Sequence, residues 1–162
     1  MNFHQESNRP SRFRPPLEGC VARDYRLATV VQRCYLQALV SIANHIYRSL
    51  ILRGNAREVS ELLEELAERT LEDFRTLGEL LLALGGDAQI HRSARFSGVN
   101  CACRESSKEE CLRETLEELQ DCIDSYETVM GKTADRVVRS VFAALIGEKQ
   151  RWYERIERFY ME

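Results

Sequence analysis

The chain has 162 residues, of which 44% are hydrophobic and 30% are charged, and its formal net charge is −3. This length indicates one domain with a sizeable core, and the composition excludes an intrinsically disordered protein and a general nucleic-acid binder. No apolar run approaches the roughly 18 residues that a bilayer span needs, and the start, MNFHQESNRP, contains no apolar signal segment. We therefore expect a cytoplasmic protein without a nucleic-acid or membrane partner.

The N-terminal segment, residues 1–23, differs in composition from the rest of the chain. It contains the stretch RPSRFRPP, and all three prolines of the protein lie before residue 17. A segment with so few side chains suited to packing is predicted to form an extended tail. Residues 24–162 contain no proline, the residue that breaks helices, and we expect them to form one helical domain.

The first two predicted helices are joined by a very short connection. Apolar residues recur every three or four positions from Asp24 to Arg53 and again from Asn55 to Leu84, which is the spacing of helices with one buried face. Because a short link favours antiparallel neighbours, these two helices should lie side by side. The predicted inward rows are Ala28, Val31, Tyr35, Ala38, Ile42, Ile46 and Leu50 in the first, and Val59, Leu63, Leu66, Leu77 and Leu81 in the second.

A long irregular segment, residues 87–105, precedes the third predicted helix, which ends at Gly131. No alternation typical of strands occurs in the chain. The pattern therefore predicts an all-α, antiparallel four-helix bundle with a long crossover between helices 2 and 3. The predicted inward rows are Leu112, Leu116, Leu119, Ile123, Tyr126 and Met130 in the third helix, and Val138, Val141, Leu145, Trp152, Ile156 and Phe159 in the fourth.

Five short stretches carry a resemblance to a known family. They are IYRSLIL (46–52), ELLEELA (61–67), LGELLLALGGD (77–87), FSGVN (96–100) and IDSYE (123–127). From about residue 24 to its end, the chain resembles the ferritin-like, rubrerythrin-type bundles of bacteria. The resemblance implies a ferritin-like fold and, since members of that family often pair through a bundle face, a homodimer.

The resemblance also implies where a metal centre would lie. In that family two metal ions, usually iron or manganese, are held by one Glu from each of two helices and a Glu-x-x-His pair from each of the other two. None of the six matching positions keeps its family residue, and only Asp73 could bind a metal. We therefore expect no catalytic, cofactor or metal site at the bundle centre, and a degenerate family member with a structural or interaction role. The six positions are Ala38, Thr70, Asp73, Leu119, Lys149 and Trp152.

An alternative is a rubrerythrin-type or manganese-catalase-type oxidoreductase that acts on peroxide with a relocated iron or manganese pair. Asp73, His45 and glutamates near the inward rows would then be the ligands. Against this, a lone inward histidine is more often a core residue than a ligand. Glu68, Glu72 and Glu148 are interpreted as solvated charges on outer helix faces.

The six cysteines suggest another alternative. In an unexported chain we expect reduced thiols. Cys101, Cys103 and Cys111 together with His91 could supply four ligands to a zinc ion, although the spacing does not match a common zinc ribbon. The same cysteines could instead supply a redox pair of thiols. Cys34 and Cys122 lie near inward rows and are interpreted as small core residues.

The sharpest prediction concerns what replaces the metal centre. Lys149 and Asp73 occupy two former ligand positions, and a buried charge is costly unless it is paired. We therefore predict that the Lys149 ammonium and the Asp73 carboxylate form a salt bridge or a water-mediated contact, and that Trp152 fills much of the remaining volume.

Overall fold

The computed structural model describes residues 17, 19–90 and 106–162. Over these residues the chain forms four helices and no strand, which confirms the all-α class. Within the same residues, no helix is both long and apolar enough to cross a membrane. The helices are α1 (Tyr25–Leu52), α2 (Arg57–Ala83), α3 (Lys108–Gly131) and α4 (Arg136–Met161).

Polar side chains begin three of the helices. The Asp24 carboxylate accepts hydrogen bonds from two backbone N–H groups of α1, Ser107 accepts one in α3, and Asp135 accepts two in α4. These side chains satisfy N–H groups that have no partner within their helix. Just after the C-terminal end of α2, Gly85 adopts a left-handed φ of 87°. Glycine reaches this conformation without steric cost, and it stops the helix.

Most of the extended tail predicted for residues 1–23 lies outside the described residues. Its last part is ordered against the bundle, because Leu17 and Val21 are each only 9% exposed and belong to the hydrophobic core.

The core consists of two hydrophobic clusters at different heights along the bundle. The first cluster contains Val31, Leu77, Tyr126 and Phe142, and the second contains Leu63, Leu112, Trp152 and Ile156. Along every helix, the members of one cluster precede the members of the other. A layer of buried polar side chains lies between them.

The contacts between α1 and α2 join the end of one helix to the start of the other. The Ser49 and Ser60 hydroxyls lie 3.3 Å apart near the short link, while the Tyr35 hydroxyl donates to the Ala88 carbonyl at 3.0 Å beyond the end of α2. Gly78 allows this close approach, since a Cβ atom there would lie 3.2 Å from the Tyr35 ring.

The predicted inward row of α1 is wrong in its second half. Ile46 and Leu50 are 45% and 54% exposed. The predicted row advances by four residues three times after Ala38, and each such step overshoots a full turn by about 40°. The residues that face the interior there are instead Ser41, His45, Arg48, Ser49 and Leu52.

Candidate functional site

The polar side chains between the two clusters come from all four helices. We call this group the central polar layer, and α1 contributes residues from its last third and α2 from its middle third. Its buried members are His45 and Arg48 from α1, Thr70 and Asp73 from α2, and Lys149 from α4, and the partly buried Glu118 of α3 contacts Arg48 at its edge.

Lys149 and Asp73 form the predicted ion pair. The Lys149 Nζ lies 3.0 Å from Asp73 Oδ2, and the two side chains are only 2% and 3% exposed. The ammonium also donates to Thr70 Oγ1 at 3.2 Å, and the Thr70 hydroxyl in turn donates to the Leu66 carbonyl at 2.8 Å. The prediction of a salt bridge is therefore confirmed. Its placement across α2 and α4 reduces the cost of burying either charge alone.

A second charged group lies beside this pair, between α1 and α3. Arg48 is 6% exposed and donates from Nη2 to Glu118 Oε1 at 2.7 Å, from Nε to Glu114 Oε2 at 3.3 Å, and from Nη1 to Thr115 Oγ1 at 3.3 Å. The Asn44 amide also donates to Glu118 Oε1 at 2.7 Å. One buried guanidinium therefore holds two carboxylates of α3 against α1.

His45 faces the same interior and is 1% exposed. Its Nδ1 lies 3.9 Å from Glu118 Oε2, which is too long for a hydrogen bond, and among the described residues this nitrogen has no hydrogen-bond partner. Burial, and then the positive charges of Lys149 and Arg48, lower the pKa of His45 to about 3. The nearby Glu118 does not reverse this shift, so the imidazole is neutral at physiological pH. The sequence prediction of an inward core histidine is confirmed.

The six positions matched to the family's metal ligands do not all come together. Thr70, Asp73 and Lys149 are in contact, whereas Ala38 belongs to the first hydrophobic cluster and Leu119 to the second. The Trp152 ring also belongs to the second cluster, and the Arg155 guanidinium lies over it at 4.8 Å from the ring centroid.

These donors do not suit a pair of divalent cations. Iron and manganese sites are built from carboxylates and imidazoles, whereas this arrangement offers one carboxylate, one hydroxyl and an ammonium that would repel a cation. Over the described part of the chain, no three His, Cys, Asp or Glu side chains are grouped so that they could hold a metal ion.

The interpretation of Glu148 as a solvated charge is wrong. Glu148 is 4% exposed, and its Oε1 lies 2.9 Å from the Arg69 guanidinium. Because Glu148 directly precedes the inward Lys149, it turns toward α2, where Arg69 supplies a partner. Glu68 and Glu72 are exposed as expected, and Glu72 pairs with Arg69 at 2.7 Å.

The same seam between α2 and α4 contains an open groove of about 280 Å³. Outside it, both carboxylate oxygens of Glu65 accept from Arg155, at 3.0 and 2.8 Å. The groove's positive charge is thus largely compensated by carboxylates. It is lined by Arg69, Glu148, Arg151, Trp152 and Arg155.

The cysteines within the described residues are mostly core residues. Cys34 and Cys122 are 2% and 5% exposed, as predicted, and burial raises the pKa of Cys34 to about 12 and raises that of Cys122. Of the zinc ligands considered, Cys111 is fully buried in the second cluster, and burial raises its thiol pKa. The other three, His91, Cys101 and Cys103, lie outside the described residues.

Sequence reasoning missed the contacts of Arg48 with Glu114 and Glu118. One signal was available, because Arg48 is the only arginine, lysine, aspartate or glutamate between residues 34 and 52. It also follows His45 by three positions, so the two residues share a helix face.

Replacing Arg48 with methionine is expected to lower the free energy of unfolding by about 2–3 kcal/mol, because Glu118 would lose a charged hydrogen bond in a partly buried setting. Urea unfolding followed by circular dichroism measures this. The matched control is Arg57→Met, since Arg57 is 84% exposed in its side chain, and its unfolding midpoint should not move. Equal midpoints for the two variants would contradict the importance assigned to Arg48.

Comparison with models of protein families finds no match, and no curated protein sequence matches the chain.

Proposed function

We propose that this protein is a metal-free relative of the ferritin-like, rubrerythrin-type bundles, and that it acts in the bacterial cytoplasm as a structural or interaction protein. The observation that carries the proposal is the buried pair of Lys149 and Asp73 at 3.0 Å, at two of the positions matched to metal ligands. An ammonium there supplies inside the bundle the positive charge that metal ions supply in the family.

The directions of the helices support the ferritin-like part of the proposal. Arg48, near the end of α1, contacts Glu114 near the start of α3, and Glu65, in the first half of α2, contacts Arg155 near the end of α4. The end of α1, the start of α2, the start of α3 and the end of α4 therefore share one end of the bundle. This arrangement supports a long crossover between α2 and α3, as in ferritin-like folds.

The oxidoreductase alternative is less well supported. Its proposed ligands are Asp73 and His45, but Asp73 already contacts the Lys149 ammonium, and His45 has both Lys149 and Arg48 as charged neighbours. These neighbouring positive charges oppose the approach of a divalent cation. Peroxide consumption by protein loaded with iron or manganese tests this alternative, and turnover above that of an Asp73→Asn control would support it.

Metal analysis tests the leading proposal. The full-length protein is purified from cells grown with added iron and manganese and is measured by inductively coupled plasma mass spectrometry. We expect well below one iron or manganese ion per chain, because Lys149 and the apolar residues Ala38 and Leu119 replace three carboxylates. Two such ions per chain, lost on substitution of Asp73, would overturn the proposal. Zinc is measured in the same samples and reports separately on the thiol alternative.

A further inference from the structure

Two buried polar atoms at the edge of the central polar layer lie close together without forming a hydrogen bond. They are Nδ1 of His45 and Oε2 of Glu118, which are 3.9 Å apart. Both atoms are buried, and neither has a hydrogen-bond partner among the described residues. Because buried polar atoms are nearly always bonded to protein or to ordered water, this pair points to a ligand between them.

The Glu118 carboxylate is held in place through its other oxygen. Its Oε1 accepts from Arg48 Nη2 and from Asn44 Nδ2, each at 2.7 Å. A direct bond between Oε2 and the His45 imidazole would require the two atoms to approach by about 1 Å. Such a movement of the carboxylate would weaken both existing bonds, of which the one to Arg48 is charged on both sides. The bonds to Arg48 and Asn44 therefore keep the gap open.

The gap has the width and the chemistry of a water bridge. One oxygen atom can lie about 2.8 Å from each of two atoms that are 3.9 Å apart. The angle at that oxygen is then about 90°, close to the angle between the two O–H bonds of water. The Glu118 carboxylate only accepts hydrogen bonds, whereas a nitrogen of the neutral His45 ring either donates or accepts. A water molecule can donate to the carboxylate and satisfy the imidazole nitrogen in either form.

The charges around the gap disfavour an ion as its occupant. After burial itself, the positive charges of Lys149 and Arg48 lower the pKa of His45, so both cations are near enough to oppose a metal ion. The Glu118 carboxylate at the gap opposes an anion in the same way. A neutral molecule that both donates and accepts hydrogen bonds meets neither repulsion.

We propose that the bundle binds one ordered water molecule between His45 Nδ1 and Glu118 Oε2. The water joins the imidazole to the Glu118 carboxylate and, through its other oxygen, to Arg48 and Asn44. Helices α1 and α3 then share one continuous hydrogen-bond network around the buried histidine. The Glu118 side chain is 23% exposed, so the water exchanges with solvent on that side of the layer.

A crystal structure of the full-length wild-type protein at about 1.5 Å resolution tests this site without any substitution. We expect one electron-density peak within about 3.2 Å of both His45 Nδ1 and Glu118 Oε2. Anomalous difference maps separate water from a metal ion or chloride, and either ion would overturn the proposal. So would a direct bond between the two side chains, or a gap between them that contains no peak.

Oxygen-17 magnetic relaxation dispersion counts long-lived internal waters in solution and provides an independent test. His45→Phe removes one of the two polar partners and should lower the count by about one relative to the wild type. The matched control is Tyr160→Phe, which removes a hydroxyl from an exposed aromatic residue of α4 and should leave the count unchanged. An unchanged count in a folded His45→Phe variant would overturn the proposal, and the wild-type crystal structure decides the question if that variant does not fold.

Discussion

Replacing Lys149 with alanine is expected to lower the free energy of unfolding by about 3–5 kcal/mol. The substitution removes the Lys149 ammonium from the Asp73 carboxylate. Because the Asp73 side chain is only 3% exposed, water cannot replace that contact. It also removes the donor to the Thr70 hydroxyl. Urea unfolding at pH 7, followed by circular dichroism at 222 nm, measures the change.

Two further variants separate a stranded charge from a simple loss of packing. The double variant Lys149→Met, Asp73→Leu removes both charges at similar volume, and it should regain most of the lost stability or exceed the wild type. Lys132→Ala, at an exposed lysine after α3, should stay within about 0.5 kcal/mol of the wild type. A change below about 0.5 kcal/mol for Lys149→Ala itself would mean that this side chain is solvated in solution.

Acidification is expected to destabilise the protein through His45. The unfolded chain binds a proton on this residue with a pKa of about 6.5, whereas the folded protein does so with a pKa of about 3. Between these values the unfolded state holds more protons, so the stability that His45 contributes is complete above pH 6.5 and falls as the pH drops toward 3. The slope is about 1.4 kcal/mol per pH unit, and the total loss is on the order of 5 kcal/mol.

The measurement compares urea unfolding of the wild type and of His45→Gln from pH 7 to pH 4. Glutamine retains a polar group but does not titrate, so the difference between the two profiles isolates His45 from the carboxylates, Glu118 among them. Below pH 6.5 the wild type should lose stability more steeply than His45→Gln. Parallel profiles would show that His45 is protonated in the folded protein, stabilised by Glu118 in spite of Lys149 and Arg48.

Periodicity predicted the interior well wherever one helix face is apolar and the other is charged. The predicted inward row of α2 is entirely buried, because Glu and Arg fill its opposite face. In α1 the same reasoning fails beyond Ala38, because polar residues face the interior there while apolar residues such as Val40, Ile46 and Leu50 are exposed.

The charged part of the site was only partly predictable. The pairing of Lys149 with Asp73 followed from placing both in inward rows and from the cost of an unpaired buried charge. The inward direction of Glu148 and the contacts of Arg48 did not follow, because each depends on a partner on another helix. Arg69 lies 79 residues before Glu148, and Glu118 lies 70 residues after Arg48, and a local pattern contains no information about such partners.

The central polar layer also affects how the four helices align along their length. Sliding α4 along α2 by one turn, about 5.4 Å, would carry the Lys149 ammonium out of reach of Asp73 and toward leucines of a hydrophobic cluster. The Lys149 ammonium would then be buried without the Asp73 carboxylate, at a cost of several kcal/mol. A purely leucine interior would oppose the same slide only weakly, since leucine packs on leucine at either height. The ion pair therefore favours one alignment of α4 along α2 over the alignments that are shifted by a helical turn.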